Sequence, residues 1–169
     1  MEVKVGCCGF PVARSRYFEE FGLVEIQKTF YRIPREGTLR RWREEAPDGF
    51  SYTMKAWGAL THEPKGPISR RVEFPGEDCG LMRPTECNLE AWGIVKRAAE
   101  ILGAEVVVIQ SPPSFRRTEE SERRVREFFD RIAGDLAIGW EVRHESWLSV
   151  MGEITESYGV IHVVDSIRW

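Results

Sequence analysis

The sequence predicts an α/β fold, a parallel (β/α) barrel of the TIM type, incomplete and built from about six βα units in a single domain over residues 1–169. Three observations carry that prediction. Six β-rich segments alternate with amphipathic helical patterns, which is how parallel strands joined by crossover helices read. The strands alternate in polarity, whereas those of an open doubly wound sheet are covered on both faces and read as continuous apolar runs. Their polar side is small or chargeable towards the carboxyl ends, as suits a barrel interior with a working upper face.

The strands fall at 3–9, 23–31, 51–57, 105–110, 136–143 and 160–165, rich in β-branched and aromatic residues and bounded by Gly, Pro, Asp or Ser. In the second, Val24, Ile26 and Phe30 alternate with Glu25, Gln27, Thr29 and Tyr31; in the third, Tyr52, Met54 and Ala56 alternate with Thr53, Lys55 and Trp57. In the fifth, Ile138, Trp140 and Val142 alternate with Gly139, Glu141 and Arg143. Helices are expected at 37–46, 89–102, 119–133 and 149–158. The second places Leu89, Trp92, Val95, Ala99 and Leu102 on one stripe, with Asn88 as its N-cap and Gly103 as its stop; the third follows Thr118 with Val125, Phe128, Phe129 and Ile132. The long connection at about 58–87 has no periodicity and several Pro and Gly, so it is expected to be irregular, a lid or a binding loop.

An eight-unit barrel takes about 250 residues, so the last two units are expected to be absent from this chain. The open strand edge is then an association surface, and a homo-oligomer through it is expected.

Composition excludes several classes. With 42% hydrophobic and 30% charged residues the chain is neither disordered nor low in complexity. A net charge of -3 argues against general nucleic-acid affinity, though not against a local basic rim. No apolar stretch is long enough for a bilayer and no signal peptide is read, so a cytoplasmic protein without membrane partners is expected. Neither a G-x-G-x-x-G nor a P-loop occurs, and no cofactor is expected. Cys7 and Cys8 point to opposite faces of a strand. Cys79 and Cys87 bracket a loop and could pair, but a reducing cytoplasm favours free thiols.

Ligands of parallel α/β folds bind beyond the carboxyl ends of the strands. The sequence places there Thr29, Tyr31 and Arg32; Lys55, Trp57 and His62; Gln110; Glu141, Arg143 and His144; and Asp165. Glu141, on the inward parity of a central strand, is the candidate general acid/base, with Lys55 and His62 beside it as catalytic candidates. Arg143, Lys55 and Arg32 would neutralise an anionic substrate, Tyr31 and Gln110 orient it, and Trp57 and Trp147 wall the pocket. His62 and His144 could exchange protons near neutrality. Arg70, Arg71 and Arg83 of the long loop could meet the same anion. Glu25 lies deeper and reads as a structural partner of Lys55, and His162 as packing. A metal site of Glu25, Glu141, Asp165 and a His is weighed and set aside, because Lys55 and Arg143 compete for the same carboxylates.

Val24-Glu25-Ile26-Gln27-Lys28-Thr29-Phe30-Tyr31-Arg32-Ile33-Pro34, Thr53-Met54-Lys55-Ala56, Thr61-His62, Gln110-Ser111-Pro112-Pro113-Ser114-Phe115 and Trp140-Glu141-Val142-Arg143-His144-Glu145-Ser146-Trp147 resemble, in order and spacing, the DUF72 (YecE-like) family. The resemblance runs from Gly6 to Asp165. It implies a TIM-barrel-like fold whose members run on through two further barrel units, including an Arg-x-His-Gly-like strand. It implies no agreed activity. Two functions therefore stand: an enzyme acting on a small polar or anionic substrate, of phosphate-ester or sugar-acid type, by carboxylate general acid/base chemistry; or a non-catalytic module binding a metabolite or nucleotide in the same pocket.

Overall fold

A computed structural model describes residues 3–134 and 136–165. Strands β1 (Gly6–Cys8), β2 (Leu23–Ile26), β3 (Ser51–Lys55), β4 (Ala104–Gln110), β5 (Ile138–Glu141) and β6 (Ile161–Val163) form one sheet. They pair in parallel and in sequential order, β1 to β6. Sequential order distinguishes barrel winding from a doubly wound sheet, whose order reverses at a switch point. Among the described residues β1 and β6 do not pair with each other, so the sheet is not closed.

Side-chain parity follows the alternation in the sequence. Val24, Ile26, Tyr52, Met54, Val107, Ile109, Ile138 and Trp140 are buried in the helix-facing core. That core also takes Leu39 and Trp42 from α2 (Glu36–Glu45), Trp92 and Val95 from α3 (Glu86–Leu102), and Val125, Phe128 and Phe129 from α4 (Glu119–Ile132). The other face carries Cys8, Glu25, Thr53, Lys55, Val108, Gly139, Glu141 and Val163 in register. A Cβ on Gly139 would stand 2.7 Å from Val163 Cγ2, so this face closes tightly where β5 meets β6.

Several elements differ from their sequence reading. The second strand ends at Ile26, and the chain enters a 3₁₀ turn at Lys28–Phe30. The Thr29 hydroxyl causes this: it donates to Ile26 O at 3.0 Å and Lys55 O at 2.6 Å, a local alternative to strand pairing. A seven-residue helix α1 (Arg14–Glu20) has no side-chain cap and buries only Tyr17, so it leaves little periodic signal. Helix α3 begins at Glu86 behind Thr85, whose hydroxyl accepts from Asn88 N. Asn88 is not the cap; its buried amide receives Gly80 N at 2.8 Å and donates to Gly80 O and Arg83 O. Helix α5 (Met151–Tyr158) follows a 3₁₀ turn over Glu145–Val150. His162 shares the parity of Trp140 but is exposed, because none of the described residues covers it there.

The long loop is packed rather than free. Leu60, Val72 and Met82 are buried, and Met82 N donates to Leu60 O at 2.8 Å. Gly80, at φ 96°, lies so close to His62 O that a Cβ would overlap it, and Leu81 and Met82 follow in the left-handed region. Cys79 and Cys87 are joined in a disulfide that fastens this turn to the start of α3, which overturns the expectation of free thiols. The reason is geometric: the Asn88 bonds bring the two loop ends together.

Candidate functional site

The inward parity of β3, β4 and β5 ends in Lys55, Gln110 and Glu141, with Gln110 directly opposite Glu141 in the ladder. The side chains form a continuous row. Lys55 Nζ donates to Gln110 Oε1 at 3.1 Å, and Gln110 Nε2 donates to Glu141 Oε2 at 2.7 Å. Arg143 closes the row, giving Nε and Nη2 to Glu141 Oε1 at 2.7 and 2.5 Å. An ammonium only donates and a carboxylate only accepts, so the Gln110 amide can sit between them in one orientation alone. Glu141 is buried at 7% exposure, with both oxygens engaged.

Glu25, on β2, stands opposite Thr53 in the ladder, two residues short of the level of Lys55 on β3. Its Oε1 accepts from Gln27 Nε2 and, at 3.9 Å, from Cys8 Sγ. Burial pushes the Glu25 carboxyl up, while the charge of Lys55 and the Gln27 bond pull it down. Lys55 thus acts on Glu25 through its field, while its hydrogen bond goes to Gln110. Burial also raises the Cys8 thiol, helped by Glu25, so Cys8 remains a thiol at neutral pH.

His62, on the loop, lies within reach of the charge of Lys55. Burial drives its pKa down to about 4; a backbone bond involving Gly58 opposes this and the charge of Lys55 adds to it. Its Nδ1 lies 2.8 Å from Thr61 Oγ1 and its ring meets the Phe30 ring edge-on at 5.1 Å. The imidazole is therefore neutral at neutral pH, and the expectation that it exchanges protons near neutrality is corrected.

The remaining sequence candidates disperse. Thr29 is buried and holds the Lys55 backbone. Tyr31 and Arg32 fasten the long loop: Arg32 pairs with Glu73 at 3.1 Å, Glu73 N donates to Tyr31 O, and Arg71 lies over the Tyr31 ring. Arg83 likewise braces its own loop, through Cys79 O and Asp78. Trp57 is buried, and its indole Nε1 has no partner among the described residues. Trp147 is core, not wall: fully buried, it donates to Phe115 O at 2.7 Å and stacks on that ring. His144 caps the 3₁₀ turn after β5, accepting from Ser146 N at 3.2 Å. Asp165 is half-buried just beyond β6. Ser111, in the stiff Pro-Pro turn, accepts from Trp140 Nε1 at 2.8 Å and is structural.

Sequence reasoning passed over Cys8 and Gln27. Gln27 shares the parity of Glu25, a usable signal; Cys8 gave none, because strand order is needed to bring it beside β2. Both line a cavity of about 860 Å³ between the segment leaving β1 and helix α2. A second cavity, about 330 Å³, lies between His62 and the Pro112-Pro113 turn. Among the described residues no three His, Cys, Asp or Glu side chains gather to hold a metal ion. None of the described helices is long and apolar enough to cross a membrane.

Comparison with known proteins agrees with this architecture. The chain is 26% identical over 136 residues to the UPF0759 protein YunF of Bacillus subtilis (strain 168), covering 79% of this chain and 43% of that protein. A crystal structure of a DUF72 family protein from Enterococcus faecalis V583 superposes with TM-score 0.66 at 17% identity, over 93% of this chain and 58% of the other. Another from Thermotoga maritima MSB8 gives 0.58 at 20% identity, over 87% and 52%. The chain thus spans about half the length of these relatives. The family model of DUF72, described as a protein of unknown function, matches residues 13–165. With its motifs, its sequential parallel sheet and that match in agreement, the chain belongs to the DUF72 family.

Proposed function

We propose that the chain acts on a small polar, anionic substrate of phosphate-ester or sugar-acid type at the carboxyl ends of its strands, with Glu141 as general acid/base. The row of Lys55, Gln110, Glu141 and Arg143 carries this reading. It gathers two cations and a fixed carboxylate on the sheet face where TIM-type barrels work. Lys55, half-buried and bonded in the row only to Gln110, retains donors for a substrate oxygen. Neutral His62 would accept a hydrogen bond rather than supply a proton.

One observation favours a second reading, a binding module without turnover: both oxygens of Glu141 are already engaged. Turnover of a panel of phosphate monoesters and sugar acids by the wild type and Glu141→Gln separates the two. The enzymatic reading expects kcat to fall by about a hundredfold or more in the variant, with the urea unfolding transition retained. Equal turnover removes Glu141 from the chemistry, and saturable binding without turnover by the wild type favours the module.

A further inference from the structure

We propose that the cavity between the β1–α1 segment and α2 is a subsite for an aromatic organic anion, whose anionic group meets Arg14 and Lys28 and whose other end points past Cys8 and Gln27 towards the row. This names the substrate class and rests on the reading of that row as the working site. At about 860 Å³ the cavity lies within the range of small-molecule sites, roughly 300–1,000 Å³. Phe10, Pro11, Val12, Ile26 and Trp42 supply an apolar wall. Phe10 is held edge-on against Tyr17 at 5.0 Å and Trp42 is buried on α2, so much of this wall is preformed.

Its polar groups select an anion. Lys28 and Arg14 face a single acid, Glu45, which pairs with Arg14 at 2.5 Å. Two cations against one carboxylate leave an excess positive charge. Lys28 is exposed at the rim, and the buried Arg14 Nε has no hydrogen-bond partner among the described residues. A carboxylate, sulfonate or phosphate oxygen would accept from Arg14 Nε, with the Lys28 ammonium at the rim adding its charge. The cavity also leads to the row, because Cys8 and Gln27 line it and both donate to the same oxygen of Glu25. At Gly9 the backbone turns with φ 87° and no atom lies within 4 Å of where a Cβ would stand, which keeps the entrance open.

Fluorescence titration with anilinonaphthalene sulfonate, a flat aromatic anion that undergoes no reaction, tests the subsite. One saturable site per chain is expected. Lys28→Ala should weaken it about tenfold, the loss of one charge-assisted contact. Val12→Trp should abolish it by filling the cavity, and Arg123→Ala, on the exposed surface of α4 beside Glu127, should leave it unchanged. Bound dye should also slow alkylation of exposed Cys8 by iodoacetamide several-fold, followed by tandem mass spectrometry, which holds for the wild type even if Val12→Trp fails to fold. Absence of saturable binding, multiple equivalent sites, or an affinity and a Cys8 rate indifferent to Lys28→Ala and to dye would overturn the proposal. Because the dye is not turned over, these outcomes are independent of whether Glu141 performs chemistry.

Discussion

Lys55 and Glu141, on strands separated by β4, share one amide: Gln110 accepts from the lysine at 3.1 Å and donates to the carboxylate at 2.7 Å. Each group is thereby held by the other's partner. The cost of burying Glu141 is offset by Gln110 and Arg143 together, so the three strand ends behave as one polar unit on the inward face of the sheet.

His62 makes stability fall on acidification. Its pKa is about 4 in the fold against 6.5 ordinarily, so between those values the unfolded chain binds a proton that the folded one refuses. Stability is full above 6.5 and declines as pH drops towards 4, by about 1–3 kcal/mol after allowance for partial solvent screening. Urea unfolding at neutral pH and near the lower value should show this loss in the wild type and a flatter profile in His62→Asn.

Glu25 acts with the opposite sign. Its carboxyl is raised above the ordinary 4.5 by burial, so on raising the pH the unfolded chain ionises first and the folded state loses relative stability. Glu25→Gln is therefore expected to be more stable than the wild type at neutral pH, with the gain vanishing below 4.5. Denaturant midpoints at the two pH values check it; a variant less stable at neutral pH would mean that the Lys55 field outweighs desolvation.

The disulfide joins residues eight apart in sequence. Closing so short a loop contributes about 2.5 kcal/mol in the chain-entropy account. Replacing both Cys79 and Cys87 by Ala should lower stability by about 2 kcal/mol, and limited proteolysis should then cut first within residues 62–85. Unchanged stability and an uncut loop would show that the Asn88 bonds alone hold the turn.

What was legible in the sequence was what period and polarity encode. Alternation along β3 and β5 placed Lys55 and Glu141 on the same face, and the Thr118 cap located α4. Side-chain bonds over short distances were not legible, and they decided the errors. The Thr29 hydroxyl ends β2 early, and Tyr31 and Arg32 beyond it fasten the long loop. The Asn88 amide serves the loop instead of the helix, and so brings Cys79 to Cys87. Trp147 follows a strand end as a pocket wall would, yet its indole N–H finds Phe115 O inside the core. Proximity across β1 and β2 was likewise hidden, which is why Cys8 was passed over beside Glu25.

The claim that these strand ends form one unit is tested most directly by a double-mutant cycle on Lys55→Met and Glu141→Gln, read as unfolding free energy. Because both residues depend on Gln110, the account predicts a coupling of about 0.5 kcal/mol or more. Changes that add to within about 0.3 kcal/mol would contradict it, and would leave Lys55 and Glu141 as two independent charges on a shared face.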